Sequence, residues 1–477
     1  MDAQTFRRHG HELVDWIAEY LEHSEKYPVL ARVKPGDLTA ALPSHAPEDP
    51  EPFEAIMADF ERVLVPGLTH WNHPGFLAYF AITASAPGVL ADFLSSALNQ
   101  QAMLWRTSPA ATELEAVSLA WLRRLMGLPD SFEGVIYDTA SVATMHALVA
   151  AREASIADVR KRGLPGRSDV PPVCVYGSNQ AHSALDKGAI AIGLGHDSVR
   201  KIEVDEAYRM RADALADAIA DDRRAGRLPI AVVATVGTTS TTSVDPVPAI
   251  ADICERERLW LHVDAAYAGV AAMVPSRRHI LDGAERADSF VVNPHKWLFT
   301  PFDLSAFYCR RMDVVRAAFA LTPEFLRTAE GERSRNLMDT GLQLGRRFRA
   351  LKLWMILRSF GARAIREHLV EHMRLATLFE SWISAHADFE LLAPVPFSVV
   401  CFRWRPAGRS MSEGELDAAN ERLINAVNDT GEVFLSHTRL RGRLALRVAI
   451  GHLHTEERHV RRAWDLLQEY AGVGRRA

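Results

Sequence analysis

The middle of the chain, from Pro87 to Gly361, alternates short apolar runs with longer segments that repeat apolar residues at helical spacing. IAVVATVG has the length of a strand buried on both faces, whereas MRADALADAIADDRRAG has the period of an amphipathic helix. The other strand candidates are GVIYDTA, PVCVYGS, LWLHVDAA and SFVVNP. Strands that alternate with helices predict an α/β fold, with a mostly parallel sheet covered by helices.

The two flanks of this region have different patterns. An amphipathic helix near the N-terminus and a proline-rich connection from Leu42 to Pro52 predict an arm that docks on another surface. After Gly361 helix, strand, helix, strand and helix patterns follow one another, which predicts a small α+β domain. We therefore expect an N-terminal helical arm over 1–80, a large α/β domain over 81–362 and a small C-terminal domain over 363–477.

Composition narrows the class of partner. The 477 residues carry a net charge of -5, so there is no overall electrostatic reason to bind nucleic acid or an anionic membrane surface. The N-terminal helix has charges throughout, unlike a signal peptide or a membrane span. Four separate cysteines without a CxxC pair are typical of reduced core residues. We expect a cytoplasmic protein with a small-molecule partner.

Reactive side chains follow several of the predicted strands. Asp264 ends LWLHVD and Lys296 comes just after SFVVNP, and ligands of parallel sheets bind at this edge. A carboxylate after a buried strand needs a cationic or hydrogen-bonding partner, and the short Ala265 and Ala266 leave space for a flat ring. Taken alone, Asp264 fits a helix cap equally well, and Lys296 fits a surface lysine better.

Their combination points to one cofactor. Lys296 supplies an amine that can form an imine, and Asp264 suits a protonated pyridine nitrogen. Thr139, Ala140 and Ser141 precede the helical run TMHALVAAREA, whose free N–H groups can bind a phosphate. His182 supplies an imidazole that can stack on a ring. These are the contacts that pyridoxal 5'-phosphate requires.

Longer motifs carry a family resemblance over nearly the whole chain. The motifs are NPHKW, HVDAAYAG, QAHSA, SPAATELE, VATVGTTSTTSVDP, LGRRFRALKLW and HWNHPGFLAYF. They resemble the aromatic-L-amino-acid decarboxylase family, the pyridoxal-phosphate-dependent group II decarboxylases. The resemblance implies the aspartate-aminotransferase type fold (fold type I) and a homodimer with its active site at the interface. It also implies that the N-terminal arm packs on the dimer partner.

The resemblance also implies a role for each matching residue. Lys296 matches the Schiff-base lysine, Asp264 the partner of the pyridine nitrogen and His182 the stacked imidazole. Ala266 matches the contact on the opposite ring face, and Thr235 a residue of the ring-side network. The positions that hold the phosphate are Ala140, Ser141, Asn293 and His295, beside Thr139.

One position departs from the decarboxylases of the family. Phe325 stands where they have a tyrosine that delivers a proton to Cα after carbon dioxide leaves, and phenylalanine has no O–H. Family members with phenylalanine there produce an aldehyde, ammonia and hydrogen peroxide. If His182 or a water donates the proton instead, the product is the amine. We expect decarboxylation of phenylalanine, tyrosine, dopa or tryptophan to the amine, with the aldehyde route as the alternative.

The substrate pocket is less regular. Gly345 matches a position where a small residue leaves room for a large ring. Gln101 and Met103 stand where the family places apolar and aromatic side chains from the partner subunit, and Ile82 replaces a hydroxyl residue. Trp71 and Tyr79 keep an aromatic wall on one side, or are simply core residues.

Two other classes of function remain as alternatives. A metal hydrolase would use histidines such as His70 and His73, or the group His452, His454 and His459, but neither set has an evident acidic ligand, so we expect no metal. A non-catalytic binding protein would explain the fold without activity. The retained Lys296, Asp264 and His182 favour an enzyme over both.

Overall fold

The computed structural model describes residues 1–321 and 335–472. The chain divides into two compact units: Met1–Ala81 with Thr377–Leu392 and Phe402–Ala477, and Ile82–Ala376 with Ala393–Cys401. In this division the N-terminal 81 residues are grouped with C-terminal segments. The three-part domain organisation expected from the sequence stays a prediction.

The α-helices of the described residues are numbered in chain order. They are α1 Ala3–Glu22, α2 Asp37–Ala41, α3 Phe53–Asp59, α4 Ala86–Leu98, α5 Pro109–Met126, α6 Ala140–Ser155, α7 Val159–Arg162, α8 Ala184–Ala191, α9 Ala212–Arg224, α10 Val247–Glu257, α11 Pro294–Trp297, α12 Met312–Phe319, α13 Ala350–Ala385, α14 Glu413–Asp429 and α15 Glu457–Tyr470. The backbone of α13 leaves helical geometry at Gly361, whose φ is 68°.

The strands are numbered in the same way. They are β1 Phe76–Leu77, β2 Glu133–Tyr137, β3 Val173–Ser178, β4 Val199–Ile202, β5 Leu228–Thr235, β6 Trp260–Asp264, β7 Ser289–Val292, β8 Ser305–Cys309, β9 Phe389–Leu391, β10 Val399–Trp404, β11 Phe434–Leu440 and β12 Arg443–Ala449.

The second unit contains the predicted sheet. Its order is β2-β8-β7-β6-β5-β3-β4, and among the described strands of this sheet only the pairs of β8 with β2 and with β7 are antiparallel. All five strands expected from the pattern are present, so the prediction of a mostly parallel sheet is confirmed. The pattern missed β4 and β8, which are short and contain polar or small residues.

Small side chains bring α6 close to this sheet. Ala143, Ala147, Ala150 and Ala151 of the helix are all buried in one apolar cluster with residues of β2, β5 and β7. An alanine-lined helix can approach a sheet more closely than a leucine-lined one, because its Cβ atoms make the contact. The tight packing fixes the N-terminal end of α6 relative to the carboxyl ends of the strands.

The five-stranded sheet has the order β1-β11-β12-β10-β9. The predicted C-terminal helices and the strands β10 and β12 are confirmed, whereas β9 and β11 were missed. Helix α14 begins with a capping box in which Ser412 and Glu415 each bond the backbone of the other, and this fits the sequence SEGE. Within the described ranges, no helix is both long enough and apolar enough to span a membrane.

Candidate active site

The chemistry-bearing residues meet at the carboxyl ends of β5, β6 and β7. In the parallel register Thr235 of β5 is opposite Asp264 of β6, and Asp264 is opposite Val291 of β7. Beyond the strands, the Asn293 N–H donates to Ala266 O at 3.0 Å. The sheet therefore places Thr235 and Asp264 side by side, with the Asn293 backbone bonded just beyond them.

Asp264 is buried, with only 7% of its surface exposed. Its Oδ1 accepts a hydrogen bond from the Ala266 N–H at 3.0 Å, which turns the chain sharply after the strand. A buried carboxylate with one backbone donor still has unused acceptor capacity, and this capacity requires a further donor or cation. Asp264 is thus prepared to bind a positively charged group.

Lys296 lies on the short helix α11, which starts directly after the Asn293 turn. Its N–H donates to Asn293 O at 2.9 Å. The next residue, Trp297, is fully buried, stacks on Tyr267 at 4.7 Å and donates its Nε1–H to His372 Nδ1 at 2.9 Å. This anchoring explains why NPHKW follows a strand: the tryptophan fixes the helix, and Lys296 stays half-buried on it.

His182 is electrostatically linked to both groups. His182 is exposed in the single chain, and partial desolvation by its neighbours lowers its pKa; Asp264 opposes this effect and Lys296 adds to it. The ring Nδ1 accepts the Ala184 N–H at 3.1 Å, so in the neutral ring the proton is on Nε2. His182 therefore lies within electrostatic range of both Asp264 and Lys296.

Asn293 and His295 each offer a side-chain N–H donor at the carboxyl end of β7, because the acceptor atom of each side chain already accepts a hydrogen bond. Asn293 Oδ1 accepts the Ser305 hydroxyl at 2.7 Å, which leaves the side-chain NH₂ available. His295 Nδ1 accepts the Leu304 N–H at 3.0 Å, and burial lowers its pKa to about 3, so the neutral ring carries its proton on Nε2. A pair of buried donors of this kind fits an anion.

The N-terminus of α6 adds backbone donors. Thr139 has extended backbone angles, φ -135° and ψ 159°, and within residues 1–321 and 335–472 its side chain makes no capping hydrogen bond. The first N–H groups of a helix have no partner inside the helix, so those of Ala140 and Ser141 can bind a phosphate. Ala140 is buried and Ser141 is exposed.

Asp245 is a residue of this region that sequence reasoning missed. It is buried, its two carboxylate oxygens accept the Thr235 N–H at 2.8 Å and the Met210 N–H at 2.7 Å, and burial raises its pKa to about 6. Thr235 Oγ1 is buried without a hydrogen-bond partner in the described part of the chain. The signal that could have found Asp245 is an aspartate in the otherwise uncharged segment TTSTTSVDP.

Three of the predicted substrate residues lie in what we call the paired layer, residues 101–105 together with 336–346. Arg346 N–H donates to Gln101 Oε1 at 2.6 Å, and Met338 N–H donates to Met103 O at 3.1 Å. A Cβ at Gly345 would lie 3.1 Å from Gln101 Nε2. The space expected over Gly345 is thus bordered by the Gln101 amide.

The remaining predicted substrate residues are more scattered. Trp71 and Tyr79 belong to the first unit, where their rings stack at 5.9 Å and Trp71 also stacks on Phe76 at 4.3 Å. Tyr79 is 54% exposed. Ile82, half-buried, is the first residue of the second unit. Phe325 lies outside the described residues.

The histidines proposed for a metal site have other partners. His73 Nδ1 accepts the Gly75 N–H at 2.8 Å, and His70 Nδ1 is 3.0 Å from the Tyr20 hydroxyl. His452 and His459 accept backbone N–H groups of His454 and Glu456 at 3.1 and 2.9 Å. Across the two described ranges, no group of three or more His, Cys, Asp or Glu residues could hold a metal ion.

Comparison with known proteins identifies the family. The model of the pyridoxal-dependent decarboxylase conserved domain matches residues 35–405. The chain belongs to this family. It is a pyridoxal-phosphate-dependent carboxy-lyase, and its fold is the fold type I architecture that the sequence predicted.

Related proteins cover almost the entire decarboxylase. It is 40% identical to phenylacetaldehyde synthase of Arabidopsis thaliana, over 99% of this chain and 96% of that protein. It is 39% identical to tryptophan decarboxylase 2 of Oryza sativa subsp. japonica, over 99% and 95% of the two chains. The crystal structure of Oryza sativa TDC with PLP and tryptamine superposes with a TM-score of 0.95 at 38% identity, covering 99% of this chain and 98% of that one.

Proposed function

We propose that this decarboxylase removes the α-carboxylate of aromatic L-amino acids, namely phenylalanine, tyrosine, dopa or tryptophan, and releases carbon dioxide and the amine. The observation that supports the proposal is the electrostatic coupling of His182 to both Asp264, at the carboxyl end of β6, and Lys296. The relatives named above act on aromatic amino acids or make an aromatic aldehyde, as their names state.

The residues of the site fit pyridoxal phosphate. The buried donors of Asn293 and His295 and the first N–H groups of α6, at Ala140 and Ser141 after Thr139, suit its phosphate. Asp264 suits the pyridine nitrogen, His182 and Ala266 the two ring faces, and Lys296 the aldehyde. The buried Thr235 Oγ1, which has no hydrogen-bond partner in the described ranges, is available to bond the cofactor. When bound, the cofactor supplies an electron sink for the bond that breaks at Cα.

The protein contributes charge and proton placement. With the cofactor bound, the buried Asp264 carboxylate would keep the pyridine nitrogen protonated, because an uncompensated buried carboxylate is costly. The half-buried Lys296 is on the anchored helix α11, within electrostatic range of His182. These groups act on the reacting bond more than on the substrate ring, so their loss should lower turnover more than substrate affinity.

The product, amine or aldehyde, depends on whether a group of the protein donates a proton to the substrate Cα. His182 holds a proton on Nε2 in its neutral form and is a candidate donor to Cα. Phe325 has no hydroxyl, and this single residue favours a second candidate function, aromatic aldehyde synthesis with ammonia and hydrogen peroxide as further products. In that reaction dioxygen, not a proton, reacts at the position that lost carbon dioxide. Dioxygen takes up two electrons and two protons to give hydrogen peroxide, and water hydrolyses the oxidised carbon–nitrogen bond to the aldehyde and ammonia.

We further propose that the enzyme is a cytoplasmic homodimer with its active site at the subunit interface. Leu342 and Leu344 of the paired layer are 72% and 52% exposed, next to Gly345. Phe6 of α1 is 56% exposed. Large apolar side chains at such positions favour burial by a second copy. The four buried free cysteines fit a reducing compartment.

The test is to incubate the cofactor-loaded protein with each of the four amino acids in air and to measure amine, aldehyde and hydrogen peroxide together. Amine without peroxide would support the decarboxylase, and aldehyde with equimolar peroxide would support the alternative. Phe325→Tyr provides the matched variant, because it restores a hydroxyl at the same position. The absence of all three products with every amino acid would contradict the proposed function.

A further inference from the structure

A buried histidine outside the predicted site contacts residues 341 and 342 of the paired layer. His146 is on α6 and is 1% exposed. Its ring stacks on Tyr137 at 4.4 Å, with an angle of 15° between the planes, and Phe319 packs against it at 4.7 Å. A polar ring enclosed by two aromatic rings has to satisfy both of its nitrogens locally.

Both ring nitrogens have partners, and the partners determine which nitrogen carries the proton. Nε2 is 2.9 Å from the Leu342 backbone N–H, which can only donate, so Nε2 accepts. Nδ1 is 2.7 Å from Val142 O, which can only accept, so Nδ1 carries the proton. Burial lowers the pKa of His146 to about 4, and the neutral form is therefore maintained near neutral pH.

Tyr137 holds the same stretch of chain from the other side. Its hydroxyl donates to Thr340 O, two residues before Leu342. Gly341 between them is extended, with φ -175°, and a Cβ there would lie 3.0 Å from His146 Nε2 and 3.2 Å from Tyr137 Cε1. Residues 340–342 thus lie flat against the two stacked rings.

The contact joins two parts of the proposed active site. On one side His146 is in the second turn of α6, whose first residues are Ala140 and Ser141. On the other side, residues 340–342 continue to Gly345 and to Arg346, which bonds Gln101. His146 therefore connects the phosphate-binding end of α6 with the paired layer.

We propose that His146 is a positioning residue that sets the distance between the paired layer and α6, and thereby the fit of the aromatic substrate. The inference rests on the proposed function, since it assigns the paired layer to the substrate side. His146 reaches neither cofactor nor substrate in this role. It acts through Leu342 N–H, with Tyr137 acting in parallel through Thr340 O.

The experiment compares His146→Phe with His146→Gln in the full-length holoenzyme. Phenylalanine keeps the ring but has no acceptor, whereas the glutamine carboxamide can still accept the Leu342 N–H. In His146→Phe we expect amide hydrogen exchange in residues 340–342 to be about tenfold faster and KM for the aromatic substrate to be about tenfold higher. We expect kcat and cofactor affinity to change by less than about threefold, and His146→Gln to restore most of the loss.

Two further variants complete the design. Tyr137→Phe, which removes only the hydroxyl bonded to Thr340 O, should change the same two readouts in the same direction even if His146→Phe does not fold. His386→Phe is the matched control, because His386 Nδ1 also accepts a backbone N–H, that of Asp388 at 3.1 Å, but lies in the first unit. We expect its KM to equal that of the wild type.

The outcomes separate this inference from the proposed function. Faster exchange with unchanged KM, or unchanged exchange in both His146→Phe and Tyr137→Phe, would overturn the role of His146. A fall in kcat and cofactor affinity at constant KM would show a merely structural residue and would also overturn it. A wild-type protein without turnover of any aromatic amino acid would instead contradict the proposed function.

Discussion

Two regions of the proposed active site differ in burial and in hydrogen bonding. One is the edge of the sheet where the cofactor is proposed to bind, and the other is the paired layer. At the sheet edge Asn293, His295 and Asp264 are only 2%, 3% and 7% exposed. Asn293 Oδ1 accepts the Ser305 hydroxyl, His295 Nδ1 accepts the Leu304 N–H, and Asp264 Oδ1 accepts the Ala266 N–H. In the paired layer Leu342 is 72% exposed and Leu344 52%. One region has its hydrogen bonds arranged in advance, and the other still has apolar surface to bury.

The difference suggests a division of labour. Preorganised buried dipoles and charges favour chemistry, because they need not reorganise when charge develops. A more exposed layer of side chains adapts to the shape of a substrate ring and adds mainly to its binding. Substitutions at the sheet edge should therefore lower kcat or cofactor retention, whereas substitutions in the paired layer should raise KM.

Lys296→Ala should have the largest effect. Without the amine, turnover should fall by at least about a thousandfold, and borohydride should no longer attach the cofactor to the peptide that contains residue 296. Mass spectrometry of that peptide and an amine assay check both parts. Lys161→Ala, which replaces an exposed lysine on α7, is the control and should retain turnover and the borohydride attachment at residue 296. Residual activity near the wild-type level would remove Lys296 from the site.

Asp264→Asn should rank second. The amide has nearly the same shape but cannot hold a proton on a facing nitrogen, so kcat should fall about a hundredfold while the cofactor still binds. The control is Asp288→Asn. Asp288 also accepts a backbone N–H, that of Leu261 at 2.9 Å, but it precedes β7 and so lies at the amino-terminal ends of the parallel strands, away from Asp264. Equal losses of kcat in the two variants would show that any buried carboxylate of the sheet matters in the same way.

Asp245 makes a pH-dependent contribution to the stability of the sheet edge. Its folded-state pKa is raised to about 6 from an ordinary value of 3.8, so between these values the native state binds more protons than the unfolded chain. The free energy of unfolding therefore falls as pH rises from about 4 to about 6, and it stays level at higher pH. The fall should be about 2 kcal/mol between pH 4.5 and 6.

Urea unfolding of the wild type and Asp245→Asn across this pH range measures the contribution. The asparagine variant should lack the trend, because its amide does not titrate. Buried histidines such as His262, whose pKa is lowered to about 4, have the opposite effect: they lower the free energy of unfolding as pH falls. Both proteins contain these histidines, so their effect cancels in the difference. Parallel pH profiles would show that Asp245 is ionised throughout.

Much of this arrangement could be predicted from the sequence, and the reasons are physical. The strand and helix periods located the sheet, and parallel strands necessarily bring Asp264 and the Asn293 turn to one edge. Asp245 and His146 were missed because their roles depend on backbone groups far along the chain, Met210 N–H and Leu342 N–H respectively. Residue type and spacing contain no record of such contacts.

The paired layer shows the same limit at Gln101. The sequence indicated an unusual polar residue at a substrate position, but not that its side chain would accept the Arg346 N–H and border Gly345. That pairing depends on two segments more than two hundred residues apart in the sequence. The local sequence pattern predicts at which end of a sheet a loop lies. It does not predict which distant segment that loop contacts.

Gln101→Ala should give the smallest of these effects and should sharpen the contrast most. The Arg346 N–H loses its acceptor, but Arg346 remains held by its ion pair with Glu115 at 3.0 Å, so the layer should loosen without unfolding. We expect KM to rise about fivefold, with kcat and cofactor affinity within about twofold of the wild type. Steady-state kinetics with tryptophan and phenylalanine, next to the neighbouring exposed variant Gln100→Ala, measure this. If Gln101→Ala instead lowers kcat as strongly as Asp264→Asn, the two regions act as one preorganised unit and the proposed division between chemistry and substrate fit is wrong.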